Sequence, residues 1–134
     1  MSQTSAVLQS GVLLALTNTY PELKRSQWRK DAKALLPIIQ ENEGFPNDFI
    51  DVINDMPLIP DAFVVNKDDL SILFFEVEIY SPMNQNKLMT YGRLKADLAA
   101  FGVCFCVLVV NQYGHINEVD LMPYYAEWLE GVSA

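Results

Sequence analysis

A mixed α/β domain is what this sequence predicts, and three observations predict it. Segments with apolar residues at helical spacing flank segments rich in Ile, Phe and Val. The two textures alternate in the order α, α, β, β, α, β, β, α. The length of 134 residues suits one domain, and a composition 51% hydrophobic and 19% charged reads as globular. A chain of this size buries about two thirds of the surface it would expose unfolded, enough for a core without staples.

Taken in order, residues 1–20 read as an N-terminal helix, with Val7, Leu8 and Leu14 as its apolar positions, or as an added segment. Thr4-Ser5-Ala6-Val7-Leu8-Gln9-Ser10-Gly11 resembles a coronavirus main-protease cleavage sequence, and no function is hung on it. A helix is expected from Glu22, on Leu23, Trp28, Ala32, Leu35 and Leu36, with Pro37 kinking or ending it. Asn47 is placed to cap a short helix over Asp48–Asn54. Ile59–Val65 and Leu70–Tyr80 read as antiparallel strands around the turn Asn66-Lys67-Asp68-Asp69, and Ser81-Pro82 ends the second. Asn86–Phe101 is an amphipathic helix closed by Gly102. Val103–Val110 is almost unbroken in its apolarity and reads as a central strand covered on both faces. Ile116–Leu121 is a last short strand, and Pro123–Leu129 a terminal helix.

Charge and cysteine content narrow the function classes. A net charge of −8 argues against a protein that coats DNA non-specifically, which needs many Lys and Arg contacts to phosphates. Five of the nine basic residues, Lys24, Arg25, Arg29, Lys30 and Lys33, nevertheless fall within ten positions. They are read either as a solvated helix face or as a phosphate grip, and Arg93 and Lys95 are read the same two ways. No apolar run approaches the roughly 20 residues of a membrane-spanning helix. No basic residue precedes the apolar stretch near the start, so a cytoplasmic protein without a membrane association is expected. Cys104 and Cys106 lie in an apolar run with His115 as the one histidine, and are expected to be buried core thiols rather than zinc ligands. There is no Gly-rich phosphate loop. No Ser or Cys has a plausible histidine partner for nucleophilic catalysis.

Three acids carry the chemistry. Asp61 starts one strand, and Glu76 and Glu78 end the next. Antiparallel neighbours lie about 4.8 Å apart, so Asp61 and Glu76 converge if the register allows. Carboxylates on a buried face are costly without compensation, and a hard cation with oxygen ligands would supply it. The competing reading is of exposed acids at a strand end. Glu41 and Glu43 are read either as contributors to the same site or as an acidic helix end.

Pro60-Asp61, some fifteen residues, then Glu76-Val77-Glu78 resembles the signature of the PD-(D/E)XK nucleases. The resemblance covers roughly residues 22–121. It implies a restriction-endonuclease-like fold, a central mixed β-sheet flanked by helices. The superfamily's α-β-β-β-α-β order would require a bent or double strand within Leu58–Val65. It also implies that Asp61 and Glu76, helped by the backbone carbonyl of Val77, bind Mg²⁺ or Mn²⁺ to hydrolyse phosphodiester bonds in DNA. Position 78 departs from the pattern, since the family usually has lysine there. Either Glu78 acts as a base or further ligand, or Lys87 reaches back from the next helix. Lys87-Leu88-Met89-Thr90-Tyr91 is similar to the Q-x-x-x-Y helix motif of RecB-type nucleases, with lysine in place of glutamine. The implied nucleic-acid contacts are Lys24, Arg25, Arg29, Lys30, Tyr91 and Arg93, with core packing the rival reading for Tyr91. Such small domains resemble phage or mobile-element accessory proteins and often pair as homodimers. The alternative is a catalytically inactive relative, an acidic module that binds or inhibits a protein partner.

Overall fold

The computed structural model of the chain describes residues 2–42, 46–56, 60–78 and 84–124, with side chains undescribed at 2–7, 40–42 and 46–48. Its elements are α1 (Ser2–Thr19), α2 (Trp28–Lys33), α3 (Leu36–Asn42), α4 (Pro46–Asp55), β1 (Ala62–Asn66), β2 (Ser71–Glu78), α5 (Gln85–Ala99), β3 (Cys104–Asn111) and β4 (Ile116–Glu118). The strands form one mixed sheet in the order β1-β2-β3-β4. β1 runs antiparallel to β2, β2 parallel to β3, and β3 antiparallel to β4. A parallel pair needs a crossover of a dozen or more residues, and α5 provides it.

Strand alternation gives the sheet two faces. One carries Phe63, Ile72, Phe74, Phe105 and Val107 into the main core with Trp28, Leu35, Phe49, Tyr91 and Leu98 from the helices. Its rings meet edge to face, Phe74 standing 4.9 Å from Trp28 and 4.8 Å from Phe105 between centroids, the arrangement that ring quadrupoles favour. The other face carries Ala62, Val64, Phe75 and Val110 against Val12, Leu13 and Leu16 of α1. The first helix is therefore part of the fold. Its buried positions are not those expected, however, for Leu14 is 73% exposed. Because α1 covers only part of this face, β3 is not sheltered on both sides along its whole length. Cys104 is exposed and Cys106 half-buried, which corrects the expectation of core thiols.

The single helix expected from Glu22 is two helices that begin later. Lys24 is drawn into the sheet instead, exchanging two main-chain hydrogen bonds of 2.9 Å with Phe63. Gln27, at φ 64, then turns the chain into α2. Pro37 neither kinks nor ends a helix; it sits in the first turn of α3, where its missing N–H would have no partner in any case. The helix expected at Asp48 starts at Pro46, so Asn47 lies within it rather than capping it. Pro60 and Asp61 precede β1 rather than belonging to it. The second strand expected within Leu58–Val65 is not formed by 60–65; residues 57–59 lie outside the described residues, as do 79–83 and most of the expected terminal helix, of which 123–124 are described and helical.

Candidate functional site

Two neighbouring strands and one helix terminus converge at one end of the sheet. The pairing Ala62↔Phe75, taken one step further, sets Asp61 opposite Glu76. The Val77 N–H, pointing past the end of β1, donates to Asp61 Oδ2 at 2.8 Å. Asp61 thus extends the ladder with its side chain. Val77 itself turns to the opposite face, packed against the α1 cluster. This end is also the carboxyl end of the parallel pair β2/β3, where open α/β sheets place their ligand crevices.

Glu76 is 4% exposed, the one buried charged side chain among the described residues. Both its oxygens have partners. Lys87 Nζ lies 2.9 Å from Oε2, and the Tyr91 hydroxyl donates to Oε1. Both partners come from α5, four residues apart and so on one side of the helix. Asn84 anchors that helix as its N-cap, its side chain accepting the Lys87 N–H at 2.8 Å. A cation in a helix's first turn opposes the helix dipole, and the Glu76 carboxylate offsets that cost. Burial pushes the Glu76 carboxyl above the ordinary carboxylate range. The hydrogen bonds from Tyr91 and Lys87 pull it back, and the charge of Asp61 pushes it further up. Burial, and then Glu76, push the Tyr91 phenol up as well, so it stays a donor.

The remaining predicted residues divide. Tyr91 is fully buried between Phe74 and Phe105. That corrects its reading as a nucleic-acid contact: it touches Glu76, not the surface. Glu78 is half-buried at the end of β2, in register with Asn111. Among the described residues no three or more His, Cys, Asp or Glu side chains are grouped to hold a metal ion. Two carboxylates are what the chain brings together here. Their hard oxygens, with a main-chain carbonyl, are of the kind that suits Mg²⁺ or Mn²⁺, and Mg²⁺ commonly completes its shell with water and phosphate oxygens. Glu41, by its side chain, and Glu43 lie outside the described residues.

The basic residues are not all available either. Lys24 Nζ pairs with Asp31 at 2.8 Å, and Arg29 Nη2 donates to the Met56 carbonyl at 2.6 Å. Arg25 and Lys30 are exposed. Arg93 stands 3.8 Å from Asp97, in a groove between α4 and α5 that Asp51 and Asp55 also line. That acidic setting does not suit a phosphate grip. Lys95 Nζ donates to the Phe105 carbonyl at 2.8 Å.

Sequence reasoning missed the roles of Asn84 as cap and Tyr91 as the donor that orients Glu76. The four-residue spacing from Lys87 to Tyr91 was the available signal for the second. No protein-family model matches the chain, and no curated protein and no solved structure matches it significantly.

Proposed function

We propose that the chain is a metal-dependent nuclease of the restriction-endonuclease-like type, hydrolysing phosphodiester bonds in DNA at the Asp61–Glu76 end of the sheet. The observation that carries the reading is the ion pair between Lys87 Nζ and Glu76 Oε2 at 2.9 Å. A lysine absent from position 78 is supplied from α5 to the same carboxylate, at the point where Asp61 also stands. Asp61 and Glu76, with the Val77 carbonyl, would hold Mg²⁺ or Mn²⁺. A bound ion would polarise the scissile phosphate and acidify an attacking water. The chain's own residues do the rest: Tyr91 fixes the Glu76 carboxylate, the Val77 N–H fixes Asp61, and Lys87 offers a positive charge to a phosphate oxygen. The exposed Arg25 and Lys30, next to the segment bridged to β1, supply the phosphate contacts.

Plasmid and single-stranded DNA incubated with Mg²⁺ or Mn²⁺ test this. Cleavage by the wild type is expected to fall at least about a hundredfold in Asp61→Ala, since the metal contributes several kcal/mol of transition-state stabilisation. Equal activity in the two removes the assignment. A second reading rests on one specific observation. Both Glu76 oxygens are already partnered by Tyr91 and Lys87, so the site is compensated by the chain itself. That favours a non-cleaving acidic module binding a basic partner, and absence of both metal binding and cleavage selects it.

A further inference from the structure

The turn between β3 and β4 carries an exposed aromatic side chain on a well-braced support. Asn111 Oδ1 accepts the Tyr113 N–H at 2.9 Å and the His115 N–H at 3.0 Å. The Asn111 N–H donates to the His115 carbonyl at 3.1 Å, and the Gly114 N–H to the Asn111 carbonyl at 3.0 Å. Gly114, at φ +80, supplies the left-handed step the turn needs. On this support Tyr113 is 75% exposed, its ring 6.3 Å from that of the exposed His115. Nothing in the core requires either ring.

Position gives the turn its meaning. Glu78 pairs with Asn111 in the β2/β3 register, so the turn leaves the sheet at the same end as Asp61 and Glu76. On the other side of the site lies the basic segment. Lys24 is bridged antiparallel to Phe63, so Arg25 and Ser26 run toward Asp61. The two features flank the site from opposite sides, separated by about three strand spacings, or roughly 15 Å. On the α5 side Lys87 stands at Glu76, inside the site itself, and Lys95 donates to the Phe105 carbonyl. The β3–β4 turn, residues 111–116, carries no Lys or Arg, so it has no fixed cation to offer a phosphate. Stacking of a base on an aromatic ring needs no charge and tolerates any sequence.

We propose that Tyr113, backed by His115, is a base-stacking platform for an unpaired nucleotide of a nucleic-acid strand lying across the end of the sheet. This rests on the nuclease reading for its substrate class, and it adds that the strand must present an unstacked base. Fluorescence anisotropy of a labelled oligothymidylate, at low salt and without metal, tests it on the full chain. Tyr113→Ala is expected to weaken binding about tenfold, and Tyr113→Phe to retain it within about twofold, because the ring and not the hydroxyl stacks. The side chain is largely in solvent, so an unchanged thermal midpoint checks the fold of both variants. Equal affinity of the wild type and Tyr113→Ala overturns the proposal, as does a wild type that binds no oligonucleotide. Mg²⁺-dependent cleavage compared between the wild type and Asp61→Ala separates the two readings. Tyr113-dependent binding without cleavage supports the platform and removes the nuclease. Asp61-dependent cleavage with Tyr113-independent binding removes the platform alone.

Discussion

Glu76 is where burial, a neighbouring acid and a lysine meet in one carboxyl group. Its pKa is raised in the folded chain, mainly by burial. The folded state therefore holds this proton to higher pH than the unfolded chain does. The stability that Glu76 contributes by taking up that proton is complete below its ordinary value of 4.5 and is lost as pH rises through the raised folded value. Glu76→Gln should flatten that part of the stability curve, as read from urea midpoints across the acid range. Lys87→Met should behave in the opposite sense. It leaves the buried Glu76 carboxyl without its cationic partner, with an expected loss of about 1–3 kcal/mol at neutral pH. The loss should shrink as acid neutralises Glu76, and a loss independent of pH would mean that the ion pair contributes nothing. Elsewhere, burial and the neighbouring Cys104 push the Cys106 thiol up to about 11, against the pull of Lys95. Alkylation of Cys106 should be slow near neutral pH and accelerate as pH approaches that value, followed by mass spectrometry of the peptide carrying it.

At the scale of elements, α5 decides whether a site exists, because it delivers both Lys87 and Tyr91 to Glu76. Asn84→Ala removes its N-cap and should cost about 1 kcal/mol in chemical denaturation. A change near zero would mean that packing of Leu94 and Leu98 alone sets the helix start. Much of this architecture was legible in the residues. The strands 62–66, 71–78 and 104–111 follow runs of Ile, Phe and Val, and α5 follows its apolar spacing, because each buries one face against the same core. What was not legible depends on partners distant in sequence. Leu23 reads as an extension of the apolar series Trp28, Ala32 and Leu35, yet Lys24 is taken by Phe63 across nearly forty residues, and no local pattern records that bridge. Pro37 opens a helix because Ala34 and Leu35 have already closed the previous one. Cys104 looked like core but stands where α1 no longer covers the sheet. The site divides in the same way. Asp61 and Glu76 were placed opposite each other by register, and Lys87 by reach. The burial of Tyr91 followed only from the helix's rotation against Phe74 and Phe105.

For the molecule as a whole, the charge distribution matters more than the net value. An excess of acid over base coexists with an exposed basic segment beside β1 and an acidic groove between α4 and α5. No helix among the described residues is long and apolar enough to cross a membrane. Binding of a polyanion should thus be local to the Arg25 side and should weaken with added salt. Mutating Arg25 and Lys30 together to Ala should lower the slope of log affinity against log salt by about two, one for each phosphate no longer neutralised. An unchanged slope would place the phosphates against other residues. On the proposed reading, Asp61 and Glu76 share one divalent cation. Isothermal titration of Mn²⁺ into the wild type and into Asp61→Asn tests it most directly. A single site is expected in the wild type, weakened more than about tenfold in the variant by the loss of one of few ligands. No binding in the wild type, or equal binding in both proteins, would contradict it.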